Sequence, residues 1–82
     1  MELIDKANIL VEFIQDYSND NDYDDFFIYN DLGLPIAICY VNNLIDFKND
    51  GEELINETYS ELCDLFNADE NEEYESLEDL IG

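Results

Sequence analysis

Histidine, arginine and tryptophan are missing from this chain, and lysine occurs only at Lys6 and Lys48. Each absence removes a class of chemistry. Without histidine there is no side chain ordinarily poised as a general base near neutral pH. A nucleophile at Cys39 or Cys63 would lack its usual imidazole partner. The three glycines are scattered, so there is no Gly-rich loop to cradle a phosphate, and no His/Cys cluster has metal-ligand spacing. Paired carboxylates could serve as acid and base, but in so acidic a chain any pair is unremarkable. With two cations, direct contact with DNA, RNA or an anionic membrane is close to excluded, because phosphate binding needs Lys and Arg. No apolar run approaches the ~18 residues of a membrane span. The first ten residues, MELIDKANIL, are amphipathic and acidic, unlike a secretory leader with its basic start. The expectation is a non-enzymatic, cytoplasmic protein without a cofactor or metal. Cys39 and Cys63 lie among apolar neighbours and read as reduced, buried thiols, with a disulfide or metal pair as the alternative.

What is present in excess is negative charge. The 82 residues carry 23 acids and a net charge of −21. Self-repulsion at that charge lowers the stability of the compact state, and solubility alone needs a magnitude of only about 2–8. Asn and Ile are plentiful, a pattern of AT-rich genes that normally also supply lysine, so the scarcity of cations is not easily a codon accident. Solubility, adaptation to salt and a basic partner are the three explanations. Eleven aromatics, six Tyr and five Phe, are enough to fill a modest core, which argues against disorder throughout. A chain of this length is one domain, too small for a deep substrate pocket.

Periodicity places the elements. Residues 2–18 read as a helix, with Leu3, Ile4, Ala7, Leu10, Val11, Ile14 and Tyr17 on one face. Ile9 and Phe13 fall beside that stripe. They either widen the core contact or meet a second copy or partner. SNDND, residues 18–22, is a turn cluster. A short helix from Tyr23 to about Leu32 follows, with Tyr23, Phe26, Phe27 and Asn30 on one face. Asp20 and Asp22 suit its N-terminus and Gly33 its stop. The run 34–45 is apolar on every side after Pro35, which suits the first turn of a helix. Leu44 and Ile45 continue the face of Ile36, Tyr40 and Val41 at helical spacing. A hairpin turning at Asn42-Asn43 is the alternative. Residues 50–66 read as a helix with Leu54, Ile55, Thr58, Tyr59, Leu62, Leu65 and Phe66 facing the core. Residues 67–75 form an acidic linker, and a last helix from about Tyr74 to Ile81 docks Leu77, Leu80 and Ile81. The fold class is therefore mainly α: one small domain, 1–82, of four to five helices, with α+β through a hairpin at about 35–48 as the alternative.

Two stretches carry acids at suggestive spacing for calcium. DFKNDGEELINE, 46–57, places Asp46, Asp50, Gly51 and Glu57 as an EF-hand loop would, yet Lys48 and Glu53 stand where an oxygen ligand and an aliphatic belong. Asp50 and Glu53 match instead the ends of a capping box. A second near-match, from Asp20 through Asp22 and Asp24 to Asp31, has Asp25 where the turn glycine belongs. Weak cation binding follows from the field of so many acids. The acid pattern itself is the stronger candidate. Glu53, Glu57 and Asp64 lie opposite the core face of helix 50–66, with Glu61 at the edge. Their spacing is about 4.5–6 Å along the axis, comparable with the ~3.4 Å of phosphates along one strand of DNA. Asp20, Asp22, Asp24 and Asp25 form a second cluster. Glu70, Glu72, Glu73, Glu75, Glu78 and Asp79 form a third. The plain alternative is that these are solvated faces.

Residues 30–66 resemble the core of winged-helix domains. NDLGLP stands as the turn into the third helix, and NNLIDFKNDGEELI resembles the GLI-x-x-T-x-x-G-x-x-L segment after the recognition helix. Leu44, Ile45, Gly51 and Leu54 match, while Asn43 replaces the glycine and Lys48 or Asn49 the threonine. The resemblance implies a helical domain whose recognition helix is 35–45. That segment has no Arg or Lys, so such a fold would not be reading DNA here. Over 29–66, with YNDLGLP before an apolar run, the chain is also similar to small acidic proteins of tailed phages of the cyanophage type. Acidic phage miniproteins include nucleic-acid mimics that inhibit restriction, CRISPR and repair enzymes. The acid clusters lead to the expectation of a non-enzymatic binding protein with a basic, nucleic-acid-binding partner, in the host cytoplasm if phage-encoded; the resemblance itself brings no established activity and adds only toward an inhibitor. A small structural or homodimeric module, acidic for solubility, and a weak divalent-cation binder are the alternatives.

Overall fold

A computed structural model describes residues 1–33 and 51–82 of the chain. All regular structure among them is helical: α1 (Leu3–Tyr17), a short 3-10 turn (Asn21–Tyr23), α2 (Asp24–Asn30), α3 (Gly51–Phe66) and α4 (Leu77–Ile81). The mainly α class is thus as the sequence implies. The helix expected over 35–45, its hairpin alternative at 35–48, Cys39 and the Asp46–Asp50 part of the EF-hand-like stretch all lie outside the described residues.

Helix α1 packs along α3 and also touches α4. Its buried side chains are Ala7, Ile9, Leu10, Val11 and Phe13. The 3.6-residue period selects these elements correctly, but the buried stripe is wider than the 3, 4, 7 spacing suggests and turned toward Ile9 and Phe13. Ile4, expected inside, sits on the rim at 37 % exposed. The reason is that α1 is covered on two sides, by α3 and by the aromatic residues of the turn and α2. This corrects the oligomer reading of Ile9 and Phe13. At 2 % and 0 % exposed they are core residues of the single chain and have no surface to offer a second copy.

Phe13 is the hub of that core. Tyr17, Tyr23, Phe26, Phe27 and Phe66 surround it with ring centroids 5.1–5.8 Å away, three of them edge-on. Edge-to-face and offset pairs are the arrangements a ring quadrupole favours. This cluster ties α1, the 3-10 turn, α2 and the C-terminal end of α3 together.

Local chemistry explains the element ends. The Asp20 side chain accepts a hydrogen bond from the Asp22 N–H at 3.0 Å and so caps the 3-10 turn. Helix α2 stops at Asp31, whose backbone is left-handed (φ 49°, ψ 48°), and not at Gly33. Asp tolerates that region because its short polar side chain bonds locally. Leu32 then plunges into the core at 0 % exposed. Helix α3 buries Ile55, Thr58, Tyr59, Leu62 and Cys63. Leu65, expected on that face, is 41 % exposed, because its position lies past the edge of the α1 contact. The helix ends through Asn67 at φ 57°, with the Ala68 N–H donating to the Cys63 carbonyl at 2.7 Å, the pattern of a Schellman stop.

The stretch 67–75 is internally bonded rather than a plain linker. The Asp69 N–H donates to the Tyr74 hydroxyl, and the Asn71 N–H to the Asp69 carboxylate. Tyr74 packs on the core but stays outside the last helix. Helix α4 starts later than expected, after Ser76, whose Oγ accepts from the Asp79 N–H. Glu12 on α1 reaches the same helix start: its Oε2 accepts from the Leu77 N–H at 2.7 Å. Leu77 and Leu80 are buried and Ile81 is left 38 % exposed.

Candidate interaction surface

The acids named from the sequence fall on two supports. Glu53, Glu57, Glu61 and Asp64 project from α3, the helix held most firmly against α1. Glu53, Glu57 and Asp64 are exposed and Glu61 is half-buried. From Glu53 to Asp64 the rise of ~1.5 Å per residue spreads them over about 16 Å of one side of the helix. Like charges at this spacing repel by a few tenths of a kcal/mol per pair, so the row is held against its own field by burial on the opposite face. Asp20, Asp22, Asp24 and Asp25 are grouped by the 3-10 turn and the first turn of α2. Asp20 is half-buried with its carboxylate engaged as a cap, so it builds the turn; Asp22, Asp24 and Asp25 are the exposed members.

The two supports meet at one place. A cleft of about 460 Å³ is lined, among the described residues, by Asp25, Phe26, Ile28, Tyr29 and Asn30 of α2 and by Glu61 of α3. Asp25 and Glu61, from different sequence clusters, therefore share a concavity, whereas Glu53, Glu57, Asp64 and Asp24 do not line it. Ile28 and Tyr29 were not foreseen as site residues. They are 79 % and 81 % exposed, by far the most exposed large apolar side chains among the described residues. The signal was in the sequence: neither belongs to the face shared by Tyr23, Phe26, Phe27 and Asn30.

Cations do little to offset the acids. Lys6 is the one lysine among the described residues, and it is turned inward. Its Nζ donates to the Asn56 Oδ1 at 2.9 Å and sits 5.4 Å from the centre of the Tyr59 ring. Among the described residues the only ion pair joins the Met1 amino group to Glu73 at 3.5 Å. The acidic surface is thus otherwise uncompensated by positive groups of the described chain.

Three groups, Tyr59, Cys63 and Tyr23, are shifted toward their neutral forms. Burial pushes the Tyr59 phenol well above its ordinary value, reinforced by Cys63 and Tyr74. Burial likewise raises the Cys63 thiol, with Glu70 and Asp64 adding to it and Tyr59 and Lys6 opposing. Burial first, then Tyr17, Asp20 and Asp22, raises Tyr23. A thiol raised in this way is a poor nucleophile, so Cys63 acts as a small apolar core residue.

Neither calcium-like stretch forms an EF-hand loop in the part described. The Gly51–Glu57 half of the first is the opening of α3, and Asn21–Asn30 of the second is helical. Ligands of an EF-hand converge because the chain wraps the ion as an irregular loop; a helix points them apart. Among the described residues no three carboxylate or thiol groups converge on a common point. No helix among them is long and apolar enough to cross a membrane. Comparison with protein families, with characterised proteins and with solved structures gave no match.

Proposed function

We propose that this is a non-enzymatic binding protein whose acidic faces engage a basic, nucleic-acid-binding partner, occupying the groove that the nucleic acid would otherwise fill. The observation that carries this reading is the acid row on α3, Glu53, Glu57, Glu61 and Asp64, mounted on a packed helix and paired with no cation among the described residues, whose one lysine, Lys6, is turned into the fold. Carboxylates fixed on a rigid element lose less freedom on binding than a disordered acidic tail. A field of one sign also steers a cationic partner at a high, salt-sensitive rate. On this reading the protein is phage-encoded and acts in the host cytoplasm.

The test is capture from a host-cell lysate on the immobilised protein, eluted by a salt gradient and repeated with excess double-stranded DNA. The reading expects retained proteins that are cationic and nucleic-acid-binding, released by salt and displaced by DNA. Retention of proteins no more basic than the lysate, or retention indifferent to DNA, contradicts it.

A further inference from the structure

The acid rows account for attraction to any cationic surface, but not for the apolar cleft beside them. Ile28 and Tyr29 stand almost fully in solvent on a seven-residue helix whose other aromatics are tucked into the core. The cleft they form with Phe26 is edged by acceptors. Asp25 and Glu61 supply carboxylates. The Asn30 side-chain nitrogen donates to the Phe26 carbonyl at 2.9 Å, which fixes that side chain at the cleft. No described cation lines the cleft.

We propose that this cleft is the anchor point for an arginine-bearing segment of the partner, in which an apolar side chain lies next to the arginine. The inference rests on the reading of the protein as a binder of basic proteins and says where and how such a partner is gripped. Charge complementarity selects the occupant. Two carboxylates, Asp25 and Glu61, with no described cation beside them call for a positively charged donor, and a guanidinium has five N–H donors and no acceptor. It is more weakly hydrated than an ammonium and stacks on aromatic faces, so an apolar floor with an exposed tyrosine favours Arg over Lys. The neighbouring apolar residue covers Ile28 and Phe26. A second copy of this chain is the wrong occupant by the same logic, since it would bring Asp25 and Glu61 against their own kind.

The experiment titrates the intact protein with three short fluorescein-labelled peptides of equal length and spacing. One pairs arginine with phenylalanine, one has lysine for every arginine, and one has glycine for every phenylalanine. Anisotropy gives affinity, and amide shifts in ¹⁵N spectra give location. The proposal expects the arginine–phenylalanine peptide to bind at least about threefold more tightly than either relative, the gain expected of one exposed cation–π contact. Shifts should centre on Asp25–Asn30 and Glu61. Tyr29→Ala and Glu61→Gln should each remove that preference, with helical circular dichroism unchanged because Tyr29 is a surface residue. Equal affinity for all cationic peptides, with shifts spread over the acidic faces, overturns the anchor while leaving the acidic-binder reading intact. No binding of any cationic peptide, together with no salt-released capture from lysate, overturns both. A rise to dimer mass in sedimentation that Tyr29→Ala abolishes would assign the cleft to self-association and overturn the proposal.

Discussion

Replacing Phe13 with alanine tests whether the aromatic hub is the core of a single chain. Phe13 is fully buried, with five rings around it at 5.1–5.8 Å. Truncating a buried phenylalanine to alanine costs about 3–5 kcal/mol through lost transfer energy and the cavity left behind. At roughly 0.05–0.15 kcal/mol per residue, a chain of 82 residues is stable by about 4–12 kcal/mol, and self-repulsion of −21 charges places this one low in that range. Phe13→Ala should therefore remove half or more of the total stability and leave a substantial unfolded population at low salt. Phe13→Leu keeps most of the volume and loses the ring pairs, for a cost of about 1–2 kcal/mol. Urea unfolding followed by far-UV circular dichroism, at two protein concentrations tenfold apart, measures both. A Phe13→Ala loss below about 1 kcal/mol, or one that depends on protein concentration, would instead return Phe13 to an interface between copies.

The remaining predictions concern smaller contacts. Glu12→Ala removes the acceptor of the Leu77 N–H at the start of α4. It should cost about 1–2 kcal/mol and show as faster hydrogen exchange over Leu77–Ile81, with α1 and α3 unchanged; uniform exchange would contradict it. Lys6→Met breaks the hydrogen bond to Asn56 and the contact with the Tyr59 ring, so a loss of about 0.5–1.5 kcal/mol in urea unfolding is expected, and a stabilised variant would contradict the role of that contact. Alkaline pH should weaken the fold. Tyr59 and Cys63 have raised pKa values in the native state, so above their ordinary values the unfolded chain releases protons that the native chain keeps. Fewer protons on the unfolded side means stability falls as pH rises from about 8.5 upward. Below that range both groups are neutral in both states and contribute no slope; a stability that climbs between pH 9 and 11 would overturn the assignment.

Much of the fold was legible because its main elements are strongly periodic. Helices α1 and α3 follow the 3.6-residue spacing and begin and end within a residue or two of expectation. What periodicity could not see was sidedness. It treats a helix as having one buried face, but α1 is covered on two, which is why Ile9 and Phe13 are central and Ile4 is marginal. Element ends followed local chemistry that several residues could supply. Asp31, not Gly33, took the left-handed stop, and Ser76 with the distant Glu12 started α4. The Glu12 contact spans 65 positions in the chain and no local rule points to it. The acids were evident as charge, since few could be buried unpaired. That Asp25 and Glu61 share a cleft, while Asp20 serves the turn, needed the packing of α2 near α3.

Whether the α3 acid row binds a cationic partner is decided by one titration. A captured partner is titrated with the wild-type chain and with the variant in which Glu53, Glu57 and Glu61 become Gln and Asp64 becomes Asn, across a series of salt concentrations. Wild-type affinity should fall steeply as salt rises, and the variant should be weaker at low salt with a much shallower dependence. Equal affinity for the two chains at low salt, or a flat salt dependence for the wild type, would contradict it.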